Sequence, residues 1–168
     1  GSAAEAVSGF YSHKQFHKLY VDKDHVAIRA VPGVAHANLP SLSLAEAAQF
    51  AQLGVDLVDR ASVKSVDAIV GYPIWFDKQK GAVGILTHEI VVRSDQPEGL
   101  VAMRGGKGFA TMEETEFKKG LYLAKFTSPM AALDAANELA KKPGVIYAHP
   151  NFLVAKDYRE DRKSTRLN

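Results

Sequence analysis

Apolar and polar positions alternate with period two in a series of short runs and change to a helical period in two longer ones. Residues 1–17 are small and polar, and the first bulk comes with Tyr11 to His17. Residues 18–21 and 25–31 flank Asp22-Lys23-Asp24, which reads as a hairpin closed off by Pro32-Gly33. A helix is predicted from near Leu44, after the cap candidates Ser41 and Ser43, and its alanine-rich run ends at Gly54. Runs 55–58, 66–70 and 73–76 are short strands separated by polar turns.

In the second half, residues 89–93 form a strand by β-branched content. A helical turn opens at Asp95-Gln96-Pro97-Glu98, runs through Met103 and stops at Gly105-Gly106. A weaker strand is predicted at 115–117, and Lys118-Lys119-Gly120 turns the chain into a strand over 121–126. The next helix has the clearest signals: Ser128 as N-cap, Pro129 in the first turn, and Met130, Leu133, Ala136 and Ala140 along one side. Lys141 and Lys142 suit its negative end, and Pro143-Gly144 stops it. A last strand over 145–148 is broken by Pro150.

Residues 88–155 therefore read strand, helix, strand, strand, helix, strand, the split order of a ferredoxin-like sandwich. The predicted fold class is α+β: a ferredoxin-like βαββαβ antiparallel sandwich in the C-terminal half, with a strand-rich N-terminal extension. The division expected is an extension with one helix over 1–84, a ferredoxin-like unit over 85–157, and a linker and tail over 158–168. Helices cover only one face of such a sheet. Its other face must be solvated, packed on the N-terminal half, or offered to a partner.

Composition narrows the classes. With 168 residues, 46% of them hydrophobic, the chain can hide about 70% of its unfolded surface without a staple. No cysteine is present, which excludes disulfide frameworks, thiolate zinc sites and thiol catalysis. No apolar run approaches the roughly 18 residues of a membrane helix, so no membrane partner is expected. The last eight residues, from Asp161 to Asn168, equal one reading-frame translation of a sequencing adapter and read as appended, the natural protein continuing past residue 160. Of the 21 bases and 19 acids that tail holds three and one, leaving 18 of each. A neutral parent offers little to phosphates, so no nucleic-acid partner is expected.

The string Pro143-Gly144-Val145-Ile146-Tyr147-Ala148-His149-Pro150-Asn151-Phe152, preceded by Ala131-Ala132-Leu133-Asp134-Ala135-Ala136-Asn137-Glu138-Leu139-Ala140, resembles the end of the N-terminal prodomain of subtilisin-like serine proteases. Residues 86–93 look like that prodomain's opening strand, and 10–31 are similar to the extra hairpin of longer, fervidolysin-like forms. The resemblance implies an intramolecular chaperone and product-like inhibitor of a catalytic domain encoded downstream. It also implies a secreted or periplasmic location and no cofactor. The open sheet face would pack on the protease, and the segment after the last strand would lie in its cleft. The protease-binding residues implied are Tyr147, His149, Asn151, Phe152, Leu153, Val154, Ala155, Lys156, Asp157 and Tyr158, with cleavage between Phe152 and Tyr158. The Asp-Ser/Thr-Gly, His-Gly-Thr-His and Gly-Thr-Ser motifs of the catalytic domain do not occur in residues 1–168, so no catalysis is expected of this chain. His149 stands where the family carries Glu. It reads either as a strand-end histidine or as a pH-responsive release trigger, since imidazole titrates near pH 6.5.

Other readings of the residues compete. His13 and His17 have the spacing of paired helix ligands, against a polar surface pair. Arg104-Gly105-Gly106-Lys107-Gly108 resembles a phosphate loop but lacks its Lys-Ser/Thr frame, which favours a plain connection. Tyr72, Trp75 and Phe76 suit packing or a stacking platform, and Glu113, Glu114 and Glu116 suit a solvated turn or a contact with basic groups. Two further functions remain open: a stand-alone inhibitor of such proteases, and a ferredoxin-like small-molecule regulatory domain.

Overall fold

The structure, a computed structural model, describes residues 5–77 and 81–155. It is an α+β fold with two antiparallel sheets. The N-terminal part contains β1 (Glu5–Ser12), β2 (Gln15–Asp22), β3 (His25–Arg29), α1 (Leu44–Gln52), β4 (Val55–Asp59), β5 (Ile69–Asp77) and β6 (Ala82–Leu86). The C-terminal part contains β7 (Glu89–Ser94), a short α2 (Val101–Arg104), β8 (Phe109–Glu114), β9 (Leu121–Phe126), α3 (Pro129–Ala140) and β10 (Val145–Pro150). The first sheet has six strands in the order β1-β2-β5-β3-β4 with β6 on β5, and the second has four in the order β10-β7-β9-β8. The boundary expected at residue 84 falls inside β6.

Both long helices start as their sequences predict. Ser43 accepts from the Glu46 amide while Glu46 accepts from the Ser43 amide, a complete capping box for α1. Ser128 accepts from the Ala131 amide, with Pro129 leading α3. The α3 C-terminus gains a further cation. Lys141 and Lys142 lie exposed beyond it, and Lys14 comes from the first hairpin to donate Nζ to the Ala140 and Val145 carbonyls, at 3.3 and 2.8 Å. Asn137 on the same helix donates to the Gly9 carbonyl at 2.9 Å.

Other elements are also corrected. Residues 5–12 form a strand paired with β2, and His13 and Lys14 turn the hairpin with φ of 51° and 65°, the left-handed geometry of the tight turns that suit twisted strands. The expected hairpin at 18–31 is instead a corner. β2 and β3 follow one another along β5, Tyr20 opposite Trp75 and Ala27 opposite Gly71, rather than pairing together. The buried Asp22 carboxylate holds that corner, accepting from the Asp24 and His25 amides. His25 then bridges Asp22 at 2.7 Å to Asp59 at 3.1 Å. β8 lies at 109–114 and not at 115–117, because Phe109 and Met112 face the core whereas Phe117 is 82% exposed in the following turn. β10 continues through Pro150, opposite Ile90.

Three apolar clusters stack in sequence. On one face of the six-stranded sheet, α1 sets Phe50 among Ala27, Val55, Leu57, Trp75, Val83 and Ile85. On its other face Leu19, Val21, Val26, Tyr72, Ile74 and Leu86 meet Leu133 of α3. The opposite side of α3, with Ala132, Ala136 and Leu139, covers Ile90, Val92, Ala124 and Ala148 of the four-stranded sheet. Each large side chain so buried contributes roughly 1.5–3 kcal/mol. Leu133→Ala is expected to destabilise the chain by about 2–5 kcal/mol in urea unfolding. A loss below about 0.5 kcal/mol would show that α3 does not join the two sheets.

Candidate functional site: a bare sheet face and a strapped tail

Alternation along the strands sends every second residue of the four-stranded sheet away from α3. Three cross-strand rows result. Tyr147, Arg93 and Leu121 form the first, and His149, Val91, Leu123 and Glu113 the second. The third consists of Glu89, Lys125 and Thr111. No described element covers this face: Val91, Arg93, Leu123, Tyr147 and His149 are half-buried, and Leu121 is buried at 8% exposure. The Tyr147 and His149 rings stack at 5.5 Å, and His149 Nδ1 donates to the Pro150 carbonyl at 3.0 Å. Of the expected site residues, Tyr147 and His149 belong to this face. Val91, Arg93, Leu121 and Leu123 belong to it as well, and the period-two pattern of β7 and β9 was the signal that would have included them.

The chain after β10 behaves differently. Asn151 donates its amide to the Glu89 carbonyl and its side-chain Nδ2 to the Glu89 carboxylate, and accepts from Thr87 Oγ1 at 2.7 Å. Leu153 then pairs with Ile85 of β6 through two backbone bonds, of 2.8 and 3.0 Å. Phe152 enters an aromatic triangle with Phe10 and Phe76, its ring 4.9 and 5.2 Å from theirs. Gly84 permits the approach, because a Cβ there would stand 2.7 Å from the Leu153 carbonyl oxygen. Ala155 is only 5% exposed, while Leu153 and Val154 are 36% and 46% exposed. Phe152 and Ala155 are thus packed within the chain, and the segment 151–155 is a strap on the N-terminal sheet rather than a free strip. Lys156, Asp157 and Tyr158 lie outside the described residues.

The competing candidates are dispersed by the fold. His13 sits in the β1–β2 turn, and His17 lies in a strand with its ring stacked on Phe10 at 5.4 Å, so the two share no helix face. Among the described residues no group of three or more His, Asp or Glu is placed to hold a metal. The glycines at 105–108 lead into a strand and not into a helix. Tyr72 and Trp75 are buried in packing, with Trp75 Nε1 donating to Glu46 at 2.7 Å. Glu114 accepts from the Gly120 amide, while burial, reinforced by that carboxylate, raises the Tyr122 hydroxyl above its ordinary pKa. Compared with known proteins, the chain matches no family model, no curated protein and no solved structure.

His88, at the junction of the two sheets, lines a cavity of about 480 Å³ with Asp67, Ile69 and Phe126. Burial disfavours its charged form and lowers its pKa below the usual 6.5. The unfolded chain therefore takes up that proton more readily, so this contribution to stability is full above about pH 6.5 and declines as the pH falls below it. Relative to His88→Asn, the unaltered protein should lose stability between about pH 6.5 and 5; parallel stability–pH curves would contradict this. Phe152→Ala should cost about 1–3 kcal/mol, less than a fully buried ring, and speed amide exchange at Ile85 and Leu153. Unchanged exchange there would mean that the strap does not depend on the aromatic triangle.

Proposed function

We propose that the chain is the prodomain of a subtilisin-like serine protease, acting as intramolecular chaperone and inhibitor of a catalytic domain in cis. In this reading residues 85–157 are a ferredoxin-like unit, the chain itself carries no catalytic centre, and the protein is exported. The supporting observation is the juxtaposition of a bare, aromatic and aliphatic sheet face with the segment 151–155 that continues from its edge strand β10. The antiparallel order β10-β7-β9-β8, with both helices on the opposite face, agrees with the split βαβ order.

An interface of roughly 1,600 Å² anchored on such a face is large enough for tight inhibition. A partner that binds only the native protease also stabilises that state by mass action, so chaperone and inhibitor are the same interaction. The strap bears on which residues this reading assigns to the cleft. Docking Phe152 to Ala155 as an extended product would break the β6 pairing and the aromatic triangle, so we place the cleft-facing bond after Ala155.

A second reading is favoured by a different feature. A cavity of about 420 Å³ lies between α2 and α3, with Met103, Phe126, Met130 and Leu139 in its walls and Lys107 and Lys142 at its rim. A small-molecule regulatory domain would use that cavity. Titrating the full chain into several subtilisin-like proteases separates the two. The prodomain reading expects stoichiometric arrest of small-substrate hydrolysis by at least one enzyme. No inhibition of any of them, together with a ligand-dependent rise in melting temperature, would replace it with the regulatory reading.

A further inference from the structure

We propose that the bare sheet face is a protein interface keyed by an acidic side chain of the partner, which pairs with Arg93. The inference rests on the prodomain reading for the identity of the partner and adds the chemistry that the partner must present. Arg93 occupies the middle of its row, between Tyr147 and Leu121. Its Nε is enclosed and has no hydrogen-bond partner among the described residues, and a Cβ on Gly120 would stand 3.5 Å from that atom. Among the described residues the ion pairs all join His to Asp, and none reaches Arg93.

The other charges of the face are placed differently. Lys125 stands directly opposite Glu89, and Glu89 already accepts from Asn151. Glu113 lies two strands from Arg93 and in the next row. Arg93 is therefore a partly enclosed cation between an aromatic and an aliphatic neighbour, paired with no carboxylate among the described residues. The outer guanidinium nitrogens, unlike Nε, are not among the enclosed atoms, and a planar guanidinium fork matches a carboxylate. The complement is an Asp or Glu on a folded surface large enough to cover the three rows.

The test uses the full chain and a subtilisin-like protease that it inhibits, inactivated by replacing the catalytic serine with alanine. Affinity is measured by calorimetry at about 50 and 500 mM salt for the unaltered chain and for Arg93→Lys, Arg93→Gln and Arg93→Glu. The inference expects Arg93→Gln to bind at least about 30-fold more weakly and Arg93→Glu more weakly still. Arg93→Lys should recover part of the loss, and the salt dependence should shrink in the Gln variant. Melting temperatures of the free variants should be unchanged or higher, since Nε has no partner to lose. Equal affinity of the unaltered and Gln chains would overturn the proposal, as would a concentration-dependent dimer of the chain that Arg93→Gln abolishes. If the unaltered chain binds no such protease, the prodomain reading fails by itself. Sodium acetate, compared with sodium chloride at equal ionic strength, then decides Arg93. A saturable shift of its guanidinium NMR signals specific to acetate supports a carboxylate seat, and an identical response to the two salts refutes it.

Discussion

Between the two sheets lies one helix, α3, which has to satisfy both. Leu133 and Met130 belong to the cluster of the six-stranded sheet, while Ala132, Ala136 and Leu139 belong to that of the four-stranded sheet. The alanines keep the second contact close, and the leucine reaches across to the first. Once α1 covers the far side of the six-stranded sheet, three of the four sheet faces are occupied. The remaining face, carrying Arg93, Val91, Leu123, Tyr147 and His149, is covered by none of the described elements, the two long helices being used elsewhere.

The hydrogen bonds around α3 tie the parts together further. Lys14 and Asn137 fasten the first hairpin to the helix, and the strap at 151–155 returns the chain from β10 to β6. The segment 151–155 is held by Phe10 and Phe76 of the N-terminal sheet as well as by the four-stranded unit.

What was legible in the sequence was local. The caps at Ser43 and Ser128, the left-handed turn at Gly144 and the strands β4, β7 and β9 follow from residues within a turn or two of one another. What was missed depends on distant partners. The β1–β2 turn uses His13-Lys14 rather than an Asn-Gly pair, and Lys14 is engaged by carbonyls more than a hundred residues away. The corner at Asp22 depends on Asp59 through His25. Phe117 drew the expected strand into a turn because hydrophobicity alone does not reveal that a ring points to water. At the site, Tyr147 and His149 were legible from β10, but their companions required the register of β7 and β9. The packing of Phe152 required Phe10, Phe76 and Gly84.

The central claim is that the uncovered sheet face, and not the groove between the helices, meets a protease. Methyl NMR of the full chain with an active-site-blocked subtilisin-like protease addresses it directly. The account predicts that the methyl signals of Val91, Leu121 and Leu123 shift or broaden while those of Met103, Met130 and Leu139 stay in place. Perturbation confined to the three residues between the helices would contradict it.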